Sequence, residues 1–182
     1  MGIVTGGGGW GVLAADACNE LGLDVVTLPD ETLRELDTVM PAWWNRGNPV
    51  DLVAGRSREA VLKGIEILLR CSAVDGVMML SIMPALKLER LTASATEAEK
   101  KVWEERAVQA VVEAVDDFKQ LAHQYGKPVV IASEQMFADA IQETQINYAL
   151  GQQGSISHQF PHQAAAVFNA LADYGEFLRR IH

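Results

Sequence analysis

Short apolar runs alternate with longer stretches of helical periodicity along the whole chain, and this alternation sets the predicted order of elements. Gly2 to Thr5 forms a first apolar run, which passes into Gly6-Gly7-Gly8-Gly9-Trp10-Gly11. A helix follows from about Val12 to Leu21, with Gly22 placed to close it. Asp24 to Leu28 (DVVTL) is rich in β-branched residues and predicts a second strand. Pro29-Asp30 starts a helix through Met40, and Pro41 ends it.

Pro41 to Gly55 reads as a long loop carrying Trp43-Trp44 and Asn48-Pro49-Val50-Asp51. Ser57 is an N-cap for a helix to Arg70, with Val61, Leu62, Ile65, Leu68 and Leu69 on one face. Gly76 to Leu80 (GVMML) is apolar throughout, as the middle strand of a parallel sheet should be. Thr96 with Glu99 makes a capping box for a long amphipathic helix striped by Val108, Val111, Val115 and Phe118, and Gly126 ends it. Lys127 to Ala132 predicts a fourth strand, Phe137 to Leu150 a helix, and Ser155 to Phe160 a weaker fifth strand. Pro161, at a first helical turn, opens the last helix.

Strands alternating with helices pair in parallel through right-handed crossovers. The expected fold is therefore α/β, a flavodoxin-like three-layer sandwich with a five-stranded parallel sheet in the order 2-1-3-4-5, spanning residues 1–182 as one domain. The 182 residues allow a real core, and 49% hydrophobic content with only 7% aromatics makes that core aliphatic. A net charge of −9 argues against nucleic acid, whose binding requires a basic face. No apolar run approaches the roughly 18 residues of a membrane span, and no secretory signal pattern opens the chain. Cys18 and Cys71 lie in apolar helical stretches and read as buried thiols, so the expected location is the cytoplasm.

The glycine-rich turn is the strongest chemical signal. Glycines let backbone N–H groups approach a ligand, and the following helix N-terminus adds partial positive charge, so Gly7, Gly8, Gly9, Trp10 and Gly11 are the candidate phosphate-binding residues. Gly6, Gly8 and Gly11 also satisfy G-x-G-x-x-G, which raises a nucleotide- or dinucleotide-binding module as an alternative. The acidic residue that such a site places at the end of the second strand is missing, because that strand ends in Thr27-Leu28-Pro29. The spacing of His158 and His162 makes a poor metal site, and no metal ligand set is assigned. Ser133 reads as a helix N-cap, and adjacent Trp43 and Trp44 cannot both point into one core. No G-x-S-x-G, C-x-x-C, H-E-x-x-H or Walker A sequence occurs.

IVTGGGGWGVLAADACNELGLDVVTL, then LPDETLRELDTVMP and GNPVDL, resembles a stretch of the NDP-forming acyl-CoA synthetases, relatives of succinyl-CoA synthetase. Gly126 to Val130 and Tyr174 to Arg180 (YGEFLRR) agree with the family's later strand and final helix, while Leu86 to Gln124 agrees least because this helical segment is longer. Gly6 stands for the family's usual Asn, Trp10 for its Pro, and His162-Gln163 for a Glu-Arg pair.

The resemblance implies the phosphate-handling, succinyl-CoA-ligase-like domain of an enzyme that makes acyl-CoA from a carboxylate, CoA and ATP, through an acyl phosphate and a phosphohistidine. It implies Asn48 and Asp51 as residues lining the site. It also implies partner regions in the same enzyme: a CoA-binding and phosphohistidine domain, and an ATP-grasp domain. CoA, ATP or ADP, and Mg would belong to the full enzyme, with none held tightly by this domain. The phosphohistidine stretch has no match here, so no catalytic residue is assigned and the isolated chain is expected to be inactive, a domain of a longer ligase. A non-catalytic interaction domain of a degenerate ligase or acetyltransferase is the remaining alternative.

Overall fold

The computed structural model describes residues 1–52, 57–81, 95–133, 147–152 and 154–181. Among them the elements run β1 (Gly2–Thr5), α1 (Gly8–Glu20), α2 (Asp30–Asp37), β2 (Val50–Asp51), α3 (Arg58–Arg70), β3 (Val77–Leu80), α4 (Glu97–Tyr125), β4 (Val129–Ala132) and α5 (Pro161–Ile181). The sheet has four strands, all parallel, in the order β2-β1-β3-β4. Thr5 lies opposite both Asp51 and Leu80, and Leu80 opposite Ala132, so the carboxyl ends of all four strands finish level.

Alternation along each strand divides the apolar side chains between two cores. Val4, Val50, Met79 and Ile131 pack with α2, α3 and α4 on one face. Ile3, Met78, Leu80 and Val130 pack with α1 and α5 on the other. Each buried Leu, Ile or Met contributes roughly 1.5–3 kcal/mol by leaving water.

Local chemistry fixes the helix ends much as the sequence implies. Ser57 Oγ accepts from Ala60 N at 3.2 Å. The Thr96–Glu99 box is complete in both directions, and Gly126 ends α4 at φ +63 in the left-handed region. Gly22, at φ +75, follows α1 in the same way. The helix expected from Phe137 falls mostly on residues outside the described ones, although 147–152 are helical. Gly76 sits where a Cβ would come within 2.7 Å of the Phe168 ring, so α5 closes directly onto the start of β3.

Two strand expectations require correction. Asp24 to Leu28 is extended but is not a strand, and the edge beside β1 belongs to Val50–Asp51 instead. The reason is a side chain. The Asn48 carboxamide lies between β1 and the 24–28 segment, donating to Met1 O and Val26 O (both 2.9 Å) and accepting from Ile3 N (2.9 Å). The main chains themselves meet only at Met1, whose terminal amine donates to Asp24 O at 2.5 Å and whose carbonyl accepts from Val26 N at 3.4 Å. Leu23 and Val25 still face one core and Val26 and Leu28 the other, which is the alternation that made the segment resemble a strand.

The fifth strand, expected from Ser155 to Phe160, is a single parallel bridge from His158 to Ala132. His158 N donates to Ile131 O and His158 O accepts from Ser133 N, each at 2.9 Å. Pro161 follows almost at once and begins α5, which leaves no room for a longer ladder.

Asn48→Ala should cost about 2–4 kcal/mol in urea denaturation, because three partly buried backbone groups lose their partner together. A loss below about 0.5 kcal/mol would mean that water replaces the amide. Burial also lowers the His158 pKa from its ordinary value. A depressed histidine contributes stability that is fully present above the unfolded-state value near 6.5 and fades as pH falls through the folded-state value. Denaturation midpoints should therefore fall as pH drops below about 6.5, and His158→Gln should flatten that part of the profile.

Candidate functional site

The four level strand ends meet the N-terminus of α1, and the turn between β1 and α1 is held by one hydroxyl. Thr5 Oγ1 donates to Gly7 O at 2.7 Å and accepts from Gly7 N at 3.1 Å. Gly7 is the N-cap, with extended backbone (φ −159, ψ 129) and no side chain to offer. Its carbonyl accepts from Trp10 N (3.1 Å) and Gly11 N (3.4 Å), which winds the first turn. The helix therefore starts at Gly8, inside the glycine run, four residues earlier than the expected Val12. Gly8 and Gly9 are exposed, and theirs are the amides of this turn left over once Gly7, Trp10 and Gly11 have donated to Thr5 Oγ1 and Gly7 O. No acidic side chain occupies that turn.

The glycines serve different purposes. At Gly11 a Cβ would lie 3.1 Å from both Pro49 Cβ and Thr5 Cγ2, so this glycine lets α1 close onto the loop before β2. At Gly8 a Cβ would lie 3.1 Å from Asp51 Oδ2, which places that carboxylate beside the helix N-terminus. At Gly7 and Gly9 a Cβ would meet nothing within 4 Å. Neither packing nor a positive φ requires glycine at these two positions; the effect of their bareness is open access to backbone.

Trp10 is half-buried and packs against the core shared by α1 and α5, leaving Gly8 and Gly9 uncovered. Gly7 to Gly11 and Asp51 thus come together at the sheet's carboxyl end. Asn48 stands apart from them, its amide spent on β1 and Val26. Its neighbour Asn45 ties the loop, donating to Pro49 O at 2.8 Å and accepting from Asp51 N at 3.5 Å.

Thr5 was not singled out from sequence, although a Thr two residues before a glycine N-cap is a recognisable hydroxyl-turn signal. Ser81, buried with φ +61, follows β3 directly. Ser133 is fully buried after β4, and its Oγ, like that of Ser157, has no hydrogen-bond partner. The helix that Ser133 was expected to cap lies outside the described residues. His162 stacks on Phe160 with ring centroids 5.7 Å apart.

Asp30, the nearest acid after the 24–28 segment, sits in the first turn of α2 within 3.9 Å of Arg34. Trp44 is buried and donates to Asp37 at 2.8 Å, while Trp43 is exposed. Cys18 and Cys71 are both buried, and burial pushes the Cys18 thiol up to about 11. Among the described residues no group of three or more His, Cys, Asp or Glu is arranged to hold a metal ion, and no helix is long and apolar enough to cross a membrane.

A groove of about 980 Å³ runs between α3 and α4, on the opposite face of the sheet from α1. Several of its charges are already paired. Arg58 bonds Asp117 (2.5 Å) and Glu113 (3.3 Å), and Glu66 accepts from Lys63 and Tyr125, both at 2.8 Å. Gly8 and Gly9 at the start of α1, by contrast, are exposed.

Residues 1–131 match the model of the Ligase-CoA domain. The chain is 35% identical over 94 residues to acetate–CoA ligase [ADP-forming] I of Archaeoglobus fulgidus, covering 52% of this chain and 14% of that one. It is 33% identical over 82 residues to the alpha subunit of acetate–CoA ligase [ADP-forming] II of Pyrococcus furiosus, covering 45% and 18%. The chain thus spans less than a fifth of the length of either relative. Among solved structures, a Pyrococcus horikoshii OT3 protein superposes with TM-score 0.61 at 26% identity, over 94% of this chain and 34% of that one. The dinucleotide forming acetyl-coenzyme A synthetase 1 of Ca. Korarchaeum cryptofilum, solved with phosphate and ADP, superposes with TM-score 0.63 at 20% identity, over 96% and 32%. A match across 131 of 182 residues, carrying the glycine-rich turn, the Asn48–Asp51 loop, β1 to β3 and most of β4, places the chain in the Ligase-CoA domain family.

Proposed function

We propose that this chain is the phosphate-handling domain of an NDP-forming acyl-CoA synthetase, and that within the Gly7 to Gly11 turn the exposed amides of Gly8 and Gly9 receive a phosphoryl group or free phosphate. The observation that carries the reading is the exposed, side-chain-free start of α1 at the level end of the sheet, with Trp10 packed aside. The kinship to ADP-forming acetate–CoA ligases supports the same chemistry.

In the full enzyme a carboxylate would take a phosphoryl group to become an acyl phosphate. CoA thiol would then attack the acyl carbon and release phosphate. Negative charge accumulates on the phosphoryl oxygens throughout, and fixed N–H dipoles stabilise it without reorganising. Thr5 holds Gly7, and so the direction of the first turn, in place. The phosphohistidine and CoA-binding domain and the ATP-grasp domain would be supplied by partner regions, together with the nucleotide and its Mg. Backbone amides suit phosphate oxygens and are not metal ligands, so this domain's share of the work is binding and charge stabilisation.

Asp51 complicates the electrostatics in an informative way. A carboxylate beside the same helix end neutralises part of its field and repels an incoming anion. An anion held only by backbone, in the open and beside a like charge, should bind weakly, at about millimolar or roughly 4 kcal/mol.

A phosphate titration followed by amide shifts should move Gly8 and Gly9 first. Asp51→Asn should tighten binding, because it removes a carboxylate from beside the helix end. Gly9→Ala should weaken binding while leaving the fold unharmed or up to about 1 kcal/mol more stable, since nothing lies near its Cβ and alanine is the better helix former. Silence at Gly8 and Gly9 while another surface responds would overturn the phosphate reading.

A further inference from the structure

We draw no further inference here: the strongest candidate, the groove of about 980 Å³ between α3 and α4, lined in part by Val39, Leu62 and Leu121, carries none, because Arg58 is already paired with Asp117 and Lys63 with Glu66 and nothing in the structure shows what covers it.

Discussion

One carboxamide holds the geometry on which the rest of this domain depends. Asn48 stands where a neighbouring strand would otherwise pair with β1, and it reproduces that pairing with a side chain. Fixing Asn48 also fixes the next three residues of the chain. Pro49 lies against Gly11, Val50 and Asp51 pair with Val4 and Thr5, and the Asp51 carboxylate reaches Gly8. The distance from the amide to the start of α1 is thus bridged by four consecutive residues with almost no slack. An Asn is suited to the task because it carries both donor and acceptor on one rigid group, and β1 and Val26 present one N–H and two carbonyls to it.

Much of the architecture was legible because it rests on local chemistry. The Thr96 box, the Ser57 cap, Gly126 and Pro161 each act within a few residues of themselves, and each stands where the sequence implied. The alternation of strands and helices likewise carried the parallel sheet and the β1-β3-β4 part of its order, while the place beside β1 went to Val50–Asp51 instead of Asp24 to Leu28. Asp24 to Leu28 failed for a non-local reason. Its residues have the composition and alternation of a strand, and they face the two cores as a strand would, but the residue that occupies its hydrogen-bonding edge arrives 20 positions later. No window on the segment itself contains that information. Ser155 to Phe160 failed through competition, since Pro161 claims the chain for a helix just after a single bridge has formed.

The candidate site shows the same division. A run of four glycines signals backbone access, but it cannot say which glycine is there for access and which for packing. Gly11 and Gly8 are constrained by Pro49, Thr5 and Asp51, whereas Gly7 and Gly9 are not, and only the folded arrangement separates them. The grouping of Asn48 with Asp51 as neighbours of the turn also divides. Alternation in an extended chain sends residues to different places, and Asn48 turns toward β1 and Val26 while Asp51 reaches the helix start.

The length of α4 has a consequence for how the molecule opens. By its hydrogen bonds it is one helix of 29 residues, roughly 43 Å long. By burial it is two. From Ala107 to Phe118 it carries Val111, Ala114 and Val115 into the core, while from Glu97 to Arg106 its described side chains stay exposed or half-exposed. A helix divided this way need not melt as one body, because only its second part is coupled to the global transition. Amide hydrogen exchange along α4 should accordingly form a gradient, faster before Ala107 and slow beyond Val111, with the Thr96 box acting as a latch at the helix start rather than as part of the core.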